Sequence, residues 1–412
     1  MSRLQELPAW LRWPLYALLG ILLLTVVQSI SDTERLTQVA TSRQMLRFAV
    51  PIFLAGLGGL FSERSGVVNI GLEGMLILGM WFGAWGSIEF GPWWGLLIGM
   101  IGGGIGGLIH AVATVTFGVD HIISGVAINI LAPAFTRFLA DEVWMSPTTS
   151  PQTQSVGTWD VPFLAGGTIF GWESPDWLLS ISMLELWFVS DVAQLARGLL
   201  RGTHWISYFV IVLVPITTWI IWRTRFGLRL RIAGENPQAG AAQGINIIRY
   251  KYVAVIISGV LAGLGGAFIS TELSGLFQGG NSAGRGFIGL AALIFGNWRP
   301  GGVLAGSLLF GYVFGLDLRD LDGTASHAVL LVNTIALVGV AAWALKGNRR
   351  ADAALAVILG AGSFGWWAVS ETVPSWWSDV LPFVLVLLVL VFFSQRLRAP
   401  AKLGAPYFKG ST

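Results

Sequence analysis

Asn69 and Glu73 lie four residues apart, so a helix that contains both carries them on one face. Facing a pore, that amide and carboxyl could hydrogen-bond a sugar hydroxyl or the edge of a base. Glu73 is equally suited to pair with Arg64 or to cap a half-helix. Asn281 and Arg285 repeat the spacing later in the chain, and Arg285 also has the donors to satisfy carbonyls freed where a helix breaks. Asn129 stands mid-way along an apolar run, where it must face protein or a cavity. A hydrogen bond to a neighbouring helix fits it as well as contact with a solute does. Phe53, Trp81 and Phe287 could stack on a base, although aromatics in such a setting serve mostly as packing or interface anchors.

Other chemistry finds little to work with. His110, His121, His204 and His327 are scattered, and no Ser/His/Asp set or metal-ligand spacing stands out. There are no cysteines, which excludes disulfides, thiolate metal sites and cysteine nucleophiles. The phosphate-binding pattern G-x-x-x-x-G-K-[ST] is missing, and the chain holds only four lysines, Lys251, Lys346, Lys402 and Lys409. No catalytic residue, metal site or cofactor is expected, and energy for any work must come from another protein.

The elements that carry these residues are membrane helices. Of 412 residues 54% are hydrophobic and 11% charged, and the mean hydropathy is +0.70. A soluble domain could not hide that much apolar surface behind so few charges. Apolar segments fall near 14–30, 44–61, 67–88, 93–117, 122–140, 206–222, 252–271, 285–296, 301–316, 328–345, 353–370 and 380–394. Most are long enough to cross roughly 30 Å of hydrocarbon, the piece at 285–296 is not, and ten to twelve crossings are expected. The fold class is an all-α polytopic bundle with membrane lipid around it, read as one permease domain over 1–412.

Charge sets the orientation. With the N-terminus inside, Arg223, Arg225, Arg229, Arg231, Arg249 and Lys251 fall in a cytoplasmic loop at 223–251. Lys346, Arg349 and Arg350 also fall inside, as does the tail with Arg396, Arg398, Lys402 and Lys409, as the positive-inside rule requires. No basic patch suggests nucleic acid. The stretch at 141–205 falls outside; it begins rich in Pro and Thr and turns amphipathic from Asp176 to Leu200. Helices lying on the outer face and a docking platform for an external partner are both open readings.

An eight-residue block repeats. Leu54-Ala55-Gly56-Leu57-Gly58-Gly59-Leu60-Phe61 returns as Leu261-Ala262-Gly263-Leu264-Gly265-Gly266-Ala267-Phe268. Beyond the copies lie Ser62-Glu63-Arg64-Ser65-Gly66 and Thr271-Glu272-Leu273-Ser274-Gly275. The copies run in opposite directions across the membrane, the inverted repeat that many transporters use for alternating access. Each is followed by a polar, Gly-interrupted stretch, 69–74 and 278–286, which predicts a broken helix beside the translocation path.

In the basic loop, Asn236-Pro237 suits the start of a short helix, with Asn as cap, Pro in the first turn and Gly244 as the stop. Such a helix fits a cleft on another protein better than it fits a plain connector. The chain resembles the membrane permeases of ATP-binding-cassette importers, in the branch shared by simple-sugar, branched-chain amino-acid and nucleoside systems. The resemblance is to nucleoside-type permeases in Phe61–Met75, Gly234-Glu235-Asn236-Pro237, Gly289–Trp298 and Leu403-Gly404-Ala405-Pro406-Tyr407-Phe408, and it spans roughly 44–410. It implies a bacterial inner-membrane protein, multi-pass, with both termini cytoplasmic, that translocates nucleosides, with simple sugars or another small polar solute as the alternative. It implies three partners: a cytoplasmic ATPase, a second permease and an extracytoplasmic binding protein. It places Gly234, Glu235, Asn236 and Pro237 against the ATPase. A reading of another class, an ion-coupled transporter, needs paired intramembrane carboxylates, for which Glu63, Glu73 and Glu272 are the candidates. The 141–205 insert is longer than the family leads one to expect.

Overall fold

The computed structural model describes residues 9–169, 171–320, 323–374 and 397–408, with isolated positions between 376 and 388. Helices α1 (Ala9–Ile30), α2 (Val39–Arg64), α3 (Leu72–Phe90), α4 (Pro92–Ala111) and α5 (His121–Trp144) come first. The insert contributes α6 (Trp177–Ser182) and α7 (Trp187–Leu200). There follow α8 (Trp205–Arg223), α9 (Arg225–Glu235), α10 (Pro237–Ala242), α11 (Ile247–Phe268), α12 (Arg285–Phe295), α13 (Pro300–Asp317), α14 (Thr324–Lys346) and α15 (Arg350–Val369). Two-residue strands pair in the insert, Thr168–Ile169 with Trp172–Glu173. Every apolar segment read from the sequence up to residue 370 is a helix, and 380–394 lies mostly outside the described residues.

Eight described helices are long and apolar enough to cross a membrane: α2, α4 with its π turn, α5, α8, α11 with its π turn, α13, α14 and α15. The helix α12, 11 residues long, is too short to span. The ends follow from local chemistry. Asp120 caps α5 by accepting from the Ile122 and Ile123 amides, Pro92 opens α4 where it has no amide to lose, and Asn246 caps α11 through the Arg249 amide.

The chain divides into two compact units. One comprises Met1–Leu46, Trp159–Thr203 and Tyr312–Gln395. Its core gathers Val27, Leu36, Leu316, Ala325, Ala328 and Leu331. The helix α7 buries Ser190, Asp191, Ala193, Leu195 and Gly198, and Asp191 accepts from Thr37 at 2.8 Å. Asp176 is held by Arg197 and Arg201 at 2.8 and 3.0 Å.

The other unit comprises Arg47–Thr158, His204–Gly311 and Arg396–Thr412. Here α3, α4 and α11 pack backbone to backbone. A methyl group on Gly103 would collide with Gly259 and Gly263, and one on Gly107 would lie 2.7 Å from the Val255 carbonyl oxygen. In lipid, apolar side chains gain nothing by leaving their surroundings, so close helix approach through small residues supplies the packing.

The repeat has a geometric counterpart. The alignment that sets Leu54 on Leu261 also sets Pro51 on Ser258 and Gly58 on Gly265. A methyl group on Gly58 would lie 2.6 Å from the Ser258 carbonyl oxygen, and one on Gly265 would lie 3.2 Å from that of Pro51. One contact therefore occurs twice with the partners exchanged, and α2 and α11 run antiparallel through it. Ile269 and Ser270, which the first copy lacks, fall at the start of the π turn Ile269–Leu273. Both copies then end on a glycine in the left-handed region, Gly66 (φ 86°) and Gly275 (φ 71°), where a side chain would be strained.

Candidate functional site

The two polar stretches that follow the repeats meet through Glu73. Its carboxylate accepts from the Gly284 amide at 3.1 Å and the Gly286 amide at 2.6 Å. These belong to the first turn of α12, whose amides have no partner within the helix. Glu73 thus stands as the cap of a half-helix contributed by the other repeat, and a negative group at that end also complements the helix dipole. Arg64 instead donates to the Trp298 carbonyl at 2.7 Å. Arg285 is buried and donates to the carbonyls of Asn281 and Ser282, in the break itself.

Asn129 braces the other side of the same junction. Its side chain accepts from the Gly74 amide at 2.8 Å and donates to the Ile70 carbonyl at 2.9 Å. Both bonds secure the start of α3, where Gly71 provides no side-chain cap. Asn69 is fully buried and donates to the Ser258 hydroxyl at 2.8 Å, while its carbonyl oxygen has no hydrogen-bond partner. Phe53 is fully buried in the core cluster with Leu57, Leu264 and Phe268, which leaves its ring no open face. Asn281 is half-buried in the turn that leads into α12. The structure therefore joins Asn69, Glu73 and Asn129 at one junction, with Asn281 across it, and sets Phe53 apart.

Beside the second break lies a cavity of about 410 Å³ with a mixed lining that includes Thr136, Arg137, Thr148, Gln278 and Ser282. None of these was singled out from the sequence. Arg137 carried the available signal, because it is a full charge inside the apolar segment 122–140. The Pro- and Thr-rich start of the insert covers this region and is not a free loop. Ser150 donates to the Phe277 carbonyl at 3.0 Å, Thr153 to Gly275 at 2.8 Å, and Gly279 to Thr148 at 2.7 Å.

All three intramembrane carboxylates are engaged. Glu63 accepts from the Trp298 indole at 2.6 Å. Glu272 accepts from Ser155 and, at 2.9 Å, from the Val156 amide, with a ring nitrogen of His204 at 2.8 Å. They occupy separate places, and no two form a carboxylate pair.

The basic loop folds as its residues direct. Asn236 caps α10 by accepting from the Ala239 amide at 3.0 Å, Pro237 occupies the first turn, and Gly244 (φ 78°) ends it. Gly234 and Pro237 are buried; Glu235, Asn236, Gln238 and Ala239 are exposed. A side chain at Gly234 would strike the Arg64 carbonyl, so the loop sits directly on the turn that ends the first repeat copy. What results is a short rigid knob of small residues, flanked by the exposed Arg225, Arg229 and Arg249.

Comparison with known proteins places these features in a family. A family model described as a branched-chain amino acid transport system permease component matches residues 43–390. The nucleoside ABC transporter permease protein NupC of Lactococcus lactis subsp. cremoris is 32% identical over 374 residues, 89% of this chain and 95% of its own. The guanosine ABC transporter permease protein NupQ of Bacillus subtilis is 32% identical over 372 residues, again 89% and 95%. A second Bacillus subtilis protein, the guanosine ABC transporter permease protein NupP, is 30% identical over 72% of this chain and 80% of its own. No solved structure matches.

Proposed function

The chain belongs to the branched-chain amino acid transport system permease family, and from that premise we propose that it is the membrane subunit of an ATP-driven importer for nucleosides. The observation that carries the coupling half of this reading is the capped helix α10, a knob of small residues presented in a basic loop. Its seat is a cleft on a cytoplasmic ATPase, which hydrolyses the ATP that this chain has no phosphate loop to hold. Asn236, Gln238 and Ala239 meet that partner. The nucleoside assignment rests on the two relatives that match along nearly their whole length.

The solute passes beside the junction of Asn69, Glu73, Asn129 and Asn281, through the cavity that Thr136, Arg137 and Gln278 line. Ring oxygens, hydroxyls and base edges match the amide, hydroxyl and guanidinium groups found there. The antiparallel halves rock about the two breaks, and the closure of the ATPase drives them through α10. Two relatives from one organism support a pore shared with a second, distinct permease. A binding protein delivers the solute on the outer face, where the 141–205 insert lies, and both termini stay in the cytoplasm with the basic loops. The whole chain acts as one permease domain. An ion-coupled mechanism is disfavoured, because Glu63, Glu73 and Glu272 are each committed to separate structural bonds.

Co-expression with its genomic neighbours tests the proposal. The ATPase is expected to co-purify, and to be lost when Glu235-Asn236-Pro237 becomes Ala-Ala-Ala. Guanosine-loaded binding protein is expected to stimulate ATP hydrolysis. Solute uptake by the chain alone, under nothing but an ion gradient, would sink the importer reading.

A further inference from the structure

The motif Leu403-Gly404-Ala405-Pro406-Tyr407-Phe408 plays no part in the mechanism above, yet the segment that carries it is fastened along the coupling surface. Lys402 donates its amide to the Gly234 carbonyl at 2.9 Å, and Ala401 donates to the Glu235 carboxylate at 3.1 Å. Gly404 donates to the Gly66 carbonyl at 3.1 Å, in the turn that closes the first repeat copy. Arg398 donates to the Asn297 side-chain oxygen at 2.8 Å, in the turn after α12. Leu397 and Leu403 anchor the segment on the core cluster. A methyl group on Gly66 would lie 3.2 Å from the Lys402 carbonyl oxygen, so that turn leaves room for little beyond the passing chain.

These bonds join three places that transport must move together. Gly234 already touches the turn at 64–66, and the tail adds a bond to Asn297, beyond the far end of the second half-helix. We propose that residues 397–408 are a tie through which α10 moves both helix breaks at once, with Glu235 as the positioning residue that holds it. Physical coupling between sites needs a contiguous set of bonds, and this is one. The bond to Glu235 has an ionised acceptor, the stronger kind. The proposal divides the coupling motif into an outward half, Asn236 and Pro237, and an inward half, Gly234 and Glu235. It rests on the importer reading.

The test uses the assembled complex in liposomes, with uptake and ATP hydrolysis measured side by side. Ala401→Pro removes the donor to Glu235, Asn297→Ala removes the acceptor for Arg398, and both leave Leu397 and Leu403 packed. A chain ending at residue 396 removes the whole tie. In each, the ATPase is expected to stay bound while uptake per ATP falls, about three-fold in the point variants and at least ten-fold in the truncation. Glu235→Ala should behave like Ala401→Pro, and Glu235→Gln, which keeps an oxygen acceptor, should restore most of the uptake. Wild-type uptake in the truncated, monodisperse complex overturns the tie. Loss of the ATPase from that complex also overturns it, because the tail is then a docking element. An ATPase that fails to bind even the intact chain overturns the importer reading, and the tie falls with it.

Discussion

The Glu73 carboxylate accepts two amides from the half-helix of the opposite repeat while it is itself buried. Replacing it with alanine leaves two amides unpaired in a dry place, and hydrogen bonds to a charged group are worth about 1.5–3 kcal/mol each. Glu73→Ala is therefore expected to lose about 3 kcal/mol or more. That loss reads as a lower apparent Tm in detergent and at least a ten-fold drop in uptake. Glu73→Gln, with one acceptor oxygen left, should fall between. Asn129→Asp should also destabilise, because it retains the acceptor for Gly74 but loses the donor to Ile70. These residues were legible in the sequence as polar groups at membrane depth. Their partners were not, because spacing identifies a shared face and says nothing about which backbone lies opposite. Phe53 shows the same limit, since an aromatic ring in an apolar run carries no mark of whether it lines a cavity or fills a core.

At the scale of the element, helices were read more surely than sites. Apolar length alone located α1 to α5, α8 and α11 to α15, and the residues Asn236, Pro237 and Gly244 bounded α10. The paired outer segment at 148–153 escaped notice because backbone pairing leaves no side-chain signature there. Two expectations follow. Gly103→Val sets a branched side chain against the backbone of Gly259 and Gly263, and should abolish recovery of monodisperse protein. Gly339→Val, in α14, and Gly362→Val, in α15, have nothing within 4 Å and should be recovered at wild-type yield, as size-exclusion profiles will show. Asn236→Ala removes the α10 cap and about 1 kcal/mol of helix stability. Its expected signature is a weaker ATPase complex, measured by dissociation on dilution, with the carrier itself unchanged in Tm.

For the whole molecule, the importer reading makes uptake depend on a partner. In liposomes that hold the complete complex, nucleoside accumulation should require internal or external ATP on the side of α10 alone, and should be indifferent to proton and sodium ionophores. The antiparallel contact of α2 with α11 has a further consequence, for synthesis. The residues that make it, Gly58 and Ser258, are separated by 200 positions in the chain. At 5–20 residues per second the ribosome needs roughly ten to forty seconds to deliver the second after the first. Throughout that interval the newly inserted α2 holds its glycine face without the helix it was shaped to meet. Lipid or an insertase must occupy that face in the meantime, and must leave it when the second half of the protein arrives.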